Sequence, residues 1–239
     1  MEILSIGNSF SQDAQRYLHE IARACGENVR TVNLYIGGCP LDSHHKNMVE
    51  DNRAYEIQCN GHNTGFYTSI REALTSRKWD VVTLQQASAK SPYIDTYSPY
   101  IGELAEYVRS LLPDAKLFIH QTWSYKEGSD LLANLKFPTS ALMQKEVTAA
   151  YSKACELIQA DGLIPSGEVL GMLRDRYEVH RDSGHASLGL GRYALALTWY
   201  SVLLGKRFEK APEIYTDEPI TDEERLDAVN AVNDVLSRY

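Results

Sequence analysis

Short apolar runs alternate with segments of helical period along almost the whole chain. The runs lie at 2–6, 29–36, 80–84, 116–120 and 162–165. Between them, helical patterns cover 11–25, 41–50, 69–77, 97–112, 139–160 and 187–204. A capping box of Thr221 and Glu224 opens a last helix that runs to the C-terminus. Apolar strands joined by helices predict a parallel sheet covered on both faces. With right-handed crossovers the result is a three-layer α/β/α sandwich. The simplest arrangement is a flavodoxin-like, five-stranded parallel sheet of order 2-1-3-4-5. Residues 53–68 alternate around Asn60-Gly61 and predict an inserted hairpin. Residues 124–138 contain Gly128 and Pro138 without a clean period, and predict a loop serving as a substrate lid.

At 239 residues one large domain is expected, and its core needs no disulfide or metal staple. The balance of 24 basic against 32 acidic residues, a net charge of −8, argues against binding the nucleic-acid backbone. No run reaches the roughly 18 to 20 apolar residues of a membrane span. The chain opens directly on a strand, without a leader, so a cytoplasmic protein is expected, or a secreted one if a leader has been removed. Cys25, Cys39, Cys59 and Cys155 match no paired metal-ligand spacing, and Cys25 and Cys155 are read as buried small hydrophobes. His44, His45 and His62 lie close to Cys39 and Cys59 in sequence but show no i, i+4 ligand pair, so no metal is expected. The oligomeric state is left open.

The polar residues at the strand ends carry the chemical argument. Ser9 follows the first strand directly, in Gly7-Asn8-Ser9-Phe10. A serine hydroxyl attacks a carbonyl only when a base takes its proton. Asp182 and His185 stand three residues apart, and a carboxylate bonded to one ring nitrogen fixes the tautomer of such a base. Gly37-Gly38 ends the second strand and can present a bare N–H to an oxyanion, while Gln85-Gln86 ends the third and offers side-chain amides. Ser88 is read as a brace for that loop. Each feature also has a plain structural reading: a helix cap for Ser9, a turn cap for Asp182, a tight turn for the glycines, a polar strand end for the glutamines. Their shared placement at the carboxyl ends of parallel strands or in the last βα connection favours a ligand site, because those strand ends share one face. Trp123, Tyr125, Tyr93, Tyr97 and Tyr100 fall on the same presumed face and could stack on sugars, with His44 and His45 at the rim.

These segments resemble the SGNH hydrolases, the GDSL-type esterase and lipase superfamily. Gly7-Asn8-Ser9-Phe10 resembles its first block, Gly38 the glycine of its second, Gln85 its third-block position, and Asp182-Ser183-Gly184-His185 its final D-x-x-H. Gly37-Gly38-Cys39, Leu84-Gln85-x-x-Ser88 and Ile164-Pro165-x-Gly167 resemble, more narrowly, the bacterial family designated DUF4886. The resemblance implies a catalytic set of Ser9, Asp182 and His185. It also implies an oxyanion hole of Ser9, Gly38 and Gln85, with Gln86 the alternative register. Two departures stand out: Asn8 occupies the usual aspartate position, and the third block lacks the G-x-N-D pattern. The implied activity is two-step hydrolysis of short acyl esters, acetyl first, on a carbohydrate or small polar alcohol, without cofactor. His44, Trp123 and Tyr125 are the expected substrate contacts. The rival readings are a non-catalytic carbohydrate- or ligand-binding module, and a nucleotide-binding flavodoxin-like protein, which lacks a glycine-rich phosphate loop.

Overall fold

The computed structural model describes residues 1–239. Its central sheet has seven strands, in the order β4-β3-β2-β1-β5-β6-β7. These are β1 (Glu2–Gly7), β2 (Arg30–Tyr35), β3 (Tyr55–Cys59), β4 (His62–Thr68), β5 (Val81–Leu84), β6 (Lys116–His120) and β7 (Gly162–Ile164). Strands β2, β1, β5, β6 and β7 are mutually parallel, so the expected 2-1-3-4-5 order describes those five. The sheet is nonetheless mixed and larger than five strands. The hairpin at 53–68 is no appendage: β3 pairs antiparallel with β2, and β4 with β3, extending one edge. Asn33 and Gln58 explain part of this, since their side-chain amides bond at 2.9 Å across β2 and β3 in the buried interior.

The helices are α1 (Ser9–Gln15), α2 (Leu18–Ala24), α3 (Leu41–Val49), α4 (Ile70–Thr75), α5 (Tyr100–Leu111), α6 (Asp130–Asn134), α7 (Ser140–Ile158), α8 (Ser166–Leu173), α9 (Leu190–Leu204) and α10 (Asp222–Leu236). Two apolar cores flank the sheet. Ile3 packs on one side with α1, α2, α8, α9 and α10, and Leu4 and Ile6 on the other with α3, α4, α5 and α7. That division follows from the two-residue period of a strand. Helix α9 is buried almost all round, as its largely apolar composition predicts. The capping box at Thr221 and Glu224 is present. None of the helices is long and apolar enough to cross a membrane.

Three local expectations change. The single helix expected over 11–25 is two helices, starting earlier at Ser9 and broken at Arg16-Tyr17. Distant partners hold the break: Tyr17 Oη donates to the Leu188 carbonyl at 2.5 Å, and the Arg16 guanidinium binds Asp217 at 2.7 Å. Helix α8 was not expected, because Gly167 and Gly171 dilute its helical signal; packing against α9 and α10 supports it. The stretch 124–138 is not a free lid. Ser124 and Tyr125 are buried, Ser129 caps α6, and the Ser140 hydroxyl donates to the Tyr125 carbonyl at 2.8 Å. All four cysteines are free; Cys25 and Cys155 are half-buried rather than fully enclosed.

Candidate active site

Strand β1 delivers its last residues to the carboxyl edge of the sheet, and α1 begins at once. Gly7 makes this tight joint possible, since a Cβ there would lie 2.1 Å from Ser11 Oγ. Asn8 caps α1: its Oδ1 accepts from Phe10 N at 3.0 Å. Ser9 is therefore the first helical residue rather than the cap, and its hydroxyl is left for another partner.

That partner is His185. Its Nε2 lies 2.9 Å from Ser9 Oγ, and its Nδ1 lies 2.8 Å from Asp182 Oδ2. Asp182 Oδ1 also accepts the backbone N–H groups of Gly184, at 2.8 Å, and His185, at 2.7 Å. Burial would raise the pKa of this carboxyl. The N–H groups of His185 and Gly184 and the imidazole outweigh that and lower it to about 2. A carboxylate at Oδ2 requires the proton on Nδ1, which leaves Nε2 as the acceptor for the serine proton.

The loop carrying this pair is fastened from below. Trp123 Nε1 donates to the Gly184 carbonyl at 2.8 Å, and Lys126 N donates to the Ser183 carbonyl at 2.9 Å. The Phe10 and Trp123 rings pack with centroids 4.2 Å apart. Asp13, fully buried on α1, receives Arg181 and Arg192 at 2.9 Å each and the N–H of Ala186 at 3.2 Å.

Asn8, Ser9, Gly38, Asp182 and His185 line a cleft of about 700 Å³, together with Phe10, Tyr35, Gly37, Ser88, Tyr125, Asp130, Leu131, Ser183 and Gly184. Gly38 has φ +62°, a left-handed conformation that suits glycine. The N–H groups of Ser9 and Gly38 have no acceptor in the protein, so both remain available to a ligand in the cleft. Asn8 ties the two turns together, because its Nδ2 donates to the Cys39 carbonyl at 3.2 Å.

Other expected site residues lie elsewhere. Gln85 is buried beneath the cleft. Its Nε2 donates to Asn8 Oδ1 at 2.7 Å, and its Oε1 accepts from His120 Nδ1 at 2.7 Å and from the Ser11 hydroxyl. It braces Asn8 instead of facing an oxyanion. Gln86, the alternative, is equally committed: Nε2 donates to the Thr96 carbonyl and hydroxyl, and Oε1 accepts from Leu41 N and Ala87 N. Two side-chain amides on a strand end bond inward because their unmet burial would be costly.

His44 is fully buried, stacked on Tyr55 and bonded to its hydroxyl at 2.9 Å, so it makes no rim contact. Trp123 supports the Asp182–His185 loop from within and does not line the cleft. Tyr125 does line it, with its hydroxyl 2.9 Å from Ser88 Oγ. Tyr97 is buried edge-on against Tyr151, Tyr93 packs beside Phe137, and Tyr100 beside His45, all away from the cleft. The histidines of the region 44–62 part company: His45 pairs with Glu103 and His62 with Arg16. Asp13, Tyr35, Asp130 and Leu131 were not foreseen. Only Asp13 had a signal, an acidic residue four positions after Ser9 inside a helix, and its arginine partners are too distant in sequence to suggest it.

The class is set by this architecture: a mostly parallel three-layer sheet with these strand-end blocks is the SGNH hydrolase fold. A lipase/acylhydrolase from Enterococcus faecalis matches at TM-score 0.57 and 12% identity, over 90% of this chain and 99% of that one. A family 3 carbohydrate esterase from Talaromyces cellulolyticus matches at TM-score 0.54 and 12% identity, over 86% and 97%. A DUF4886 family protein from Bacteroides uniformis ATCC 8492 is much more similar, with TM-score 0.90 and 31% identity over 99% of this chain and 95% of that one. The model of DUF4886, a domain of unknown function, matches residues 2–234. The chain belongs to the DUF4886 family. Among curated proteins none matches it.

Proposed function

We propose that this chain is a serine esterase that removes short acyl groups, acetyl first, from a carbohydrate or other small polar alcohol. One observation carries the reading: His185 reaches Ser9 Oγ with one nitrogen and Asp182 with the other. In that arrangement His185 takes the Ser9 proton as Oγ bonds to the ester carbon. The carbonyl electron pair moves to oxygen, where the N–H groups of Ser9 and Gly38 receive it. The C–O bond to the alcohol then breaks, and the alcohol leaves with the proton from His185. Water, deprotonated by the same nitrogen, releases the acid and restores Ser9.

The preference for a polar alcohol comes from the walls. Only four of the fourteen lining residues are hydrophobic, too few to sheathe a long acyl chain. A lipase/acylhydrolase and a carbohydrate esterase share the fold, which supports ester chemistry without selecting the substrate. A binding module on the same fold draws its support from the inward turn of Gln85, which keeps that amide out of the cleft.

The test is hydrolysis of p-nitrophenyl acetate and decanoate by the wild type and Ser9→Ala. Acetate turnover that disappears with the Ser9 hydroxyl supports the reading. Equal rates for the two proteins, or faster decanoate hydrolysis, would overturn it in whole or in its acyl preference.

A further inference from the structure

Resting on the esterase reading, the cleft holds two backbone donors for the oxyanion, from the strand ends of β1 and β2. The next strand, β5, lies directly beside β1, and its end should complete the set. The glutamines there cannot, since Gln85 and Gln86 spend their amides inward. Four residues past β5, however, Ser88 lines the cleft with Tyr125.

We propose that the Ser88 hydroxyl, polarised by Tyr125, is the third oxyanion donor. The two hydroxyls lie 2.9 Å apart and neither has another partner in the protein. Such a pair holds two protons and uses one, so one O–H is always spare. A phenol is the stronger acid and hence the better donor, so Tyr125 donates to Ser88 Oγ and the Ser88 proton is the spare one. Accepting that bond strengthens Ser88 as a donor in turn. Burial raises the pKa of Tyr125 more than the bond to Ser88 lowers it, which keeps the phenol protonated. The rest of Tyr125 is fixed, its ring lying against Gly184 of the triad loop. Ser88 transfers no proton in the reaction. Its hydrogen bond strengthens as the carbonyl oxygen gains the electron pair displaced by Ser9, and weakens when the C–O bond to the alcohol breaks.

The test compares Ser88→Ala, Ser88→Thr, Tyr125→Phe and the double variant Ser88→Ala/Tyr125→Phe on p-nitrophenyl acetate, with butylboronic acid as the tetrahedral analogue. Ser88→Ala is expected to lower kcat about 100-fold, the typical effect of one lost donor, with KM within about twofold. Its boronate affinity should fall in step with kcat/KM. Tyr125→Phe, which keeps the ring, should cost about tenfold, and the double variant no more than Ser88→Ala. Ser88→Thr, which restores a hydroxyl, should recover most of the rate. An active wild type whose Ser88→Ala variant keeps its kcat, or raises only KM, overturns the donor alone. A larger loss in Tyr125→Phe than in Ser88→Ala overturns the assignment of the spare proton. A wild type inert to both ester and boronate overturns the esterase reading and the donor with it.

Discussion

Asp13 and Arg181 form an ion pair in which Arg181 Nη1 lies 2.9 Å from both carboxylate oxygens, joining the helix that begins at Ser9 to the loop that carries His185. Ala186 N and Arg192 complete the cage, so both ends of the 181–186 loop are held by one carboxylate. The Asp13 side chain is fully buried. Replacing it by Asn takes from Arg181 its close carboxylate and from Arg192 one of two, since Arg192 keeps Asp217 at 2.8 Å. We expect Asp13→Asn to destabilise the protein by about 3–5 kcal/mol, the usual cost of breaking a buried pair. Urea unfolding monitored by tryptophan fluorescence would measure it, and a loss below about 1 kcal/mol would show that the cage does not hold the loop.

Asp182→Asn tests the tautomer. Its Oδ1 position is pinned as an acceptor by two N–H groups, so an amide would place its NH2 where Oδ2 now meets His185 Nδ1. The imidazole would then carry its proton on Nε2, facing Ser9, and could not accept the serine proton. A loss of about 10⁴-fold in kcat is expected with an unchanged fold. Retention of more than a tenth of the activity would mean that Asp182 does not govern the ring.

The buried amides make a less intuitive case. Asn8 donates to the Cys39 carbonyl and accepts from Phe10 N and Gln85 Nε2. An aspartate, the residue usual in SGNH hydrolases, has no hydrogen to give Cys39. Asn8→Asp is therefore expected to destabilise by about 1–3 kcal/mol, not to improve the enzyme. Gln85→Ala would strand Asn8, Ser11 and His120 together, so its main effect should be on unfolding free energy. A fully stable Gln85→Ala variant with lost turnover would restore Gln85 to the oxyanion hole.

These cases show where the sequence was legible. The period of the apolar runs identifies the five parallel strands, and a residue just after a strand end, such as Ser9 or Gly38, is placed by topology alone; Asp182 and His185 lie beyond α8, and only their three-residue spacing marks them. Gln85 has the same kind of position, yet side-chain direction depends on which buried acceptor is nearest, here Asn8 Oδ1, and no periodicity encodes that. Trp123 misled likewise: a large amphipathic ring suits a sugar platform and a buried strut equally, and the Gly184 carbonyl that decides between them is 61 residues away. Asp13 depends on arginines more than 165 residues distant. The edge hairpin was read correctly as a hairpin, but its docking against β2 is a tertiary choice.

Stability should fall as the medium becomes acid. His120 is fully buried, and desolvation lowers its pKa to about 3; burial lowers that of His44 to about 4, against a smaller opposing pull from Asp42. In the unfolded chain both titrate near 6.5. Below that value the unfolded state binds protons that the folded state refuses, so unfolding becomes easier as pH drops. Each histidine contributes about 1.4 kcal/mol per pH unit between roughly 6 and 4, and nothing above 7. The depressed pKa of Asp182 acts in a lower window, its contribution being lost only as pH falls below 3.8 towards 2. Urea midpoints at pH 7, 6 and 5 should decline accordingly, and His44→Phe should shallow the slope. A midpoint constant from pH 7 to 5 would contradict the burial of both rings.

Charge in the cleft should select among esters. Asp130 and Asp182 line it, and no lysine or arginine does. Asp130 has no ion-pair or hydrogen-bond partner, so its field is uncompensated at the rim. An anionic ester such as p-nitrophenyl hemisuccinate enters against that field, whereas the neutral acetate does not. At the rim, where water screens strongly, one unit charge several ångströms away is worth about 0.5–1 kcal/mol, or roughly two- to fivefold. We expect kcat/KM for the hemisuccinate to rise by that factor in Asp130→Asn, with the acetate unchanged. The advantage of the variant should shrink in 0.5 M salt, because screening removes the repulsion from the wild type as well. A variant that gains equally on both esters would place the effect in cleft shape instead of charge.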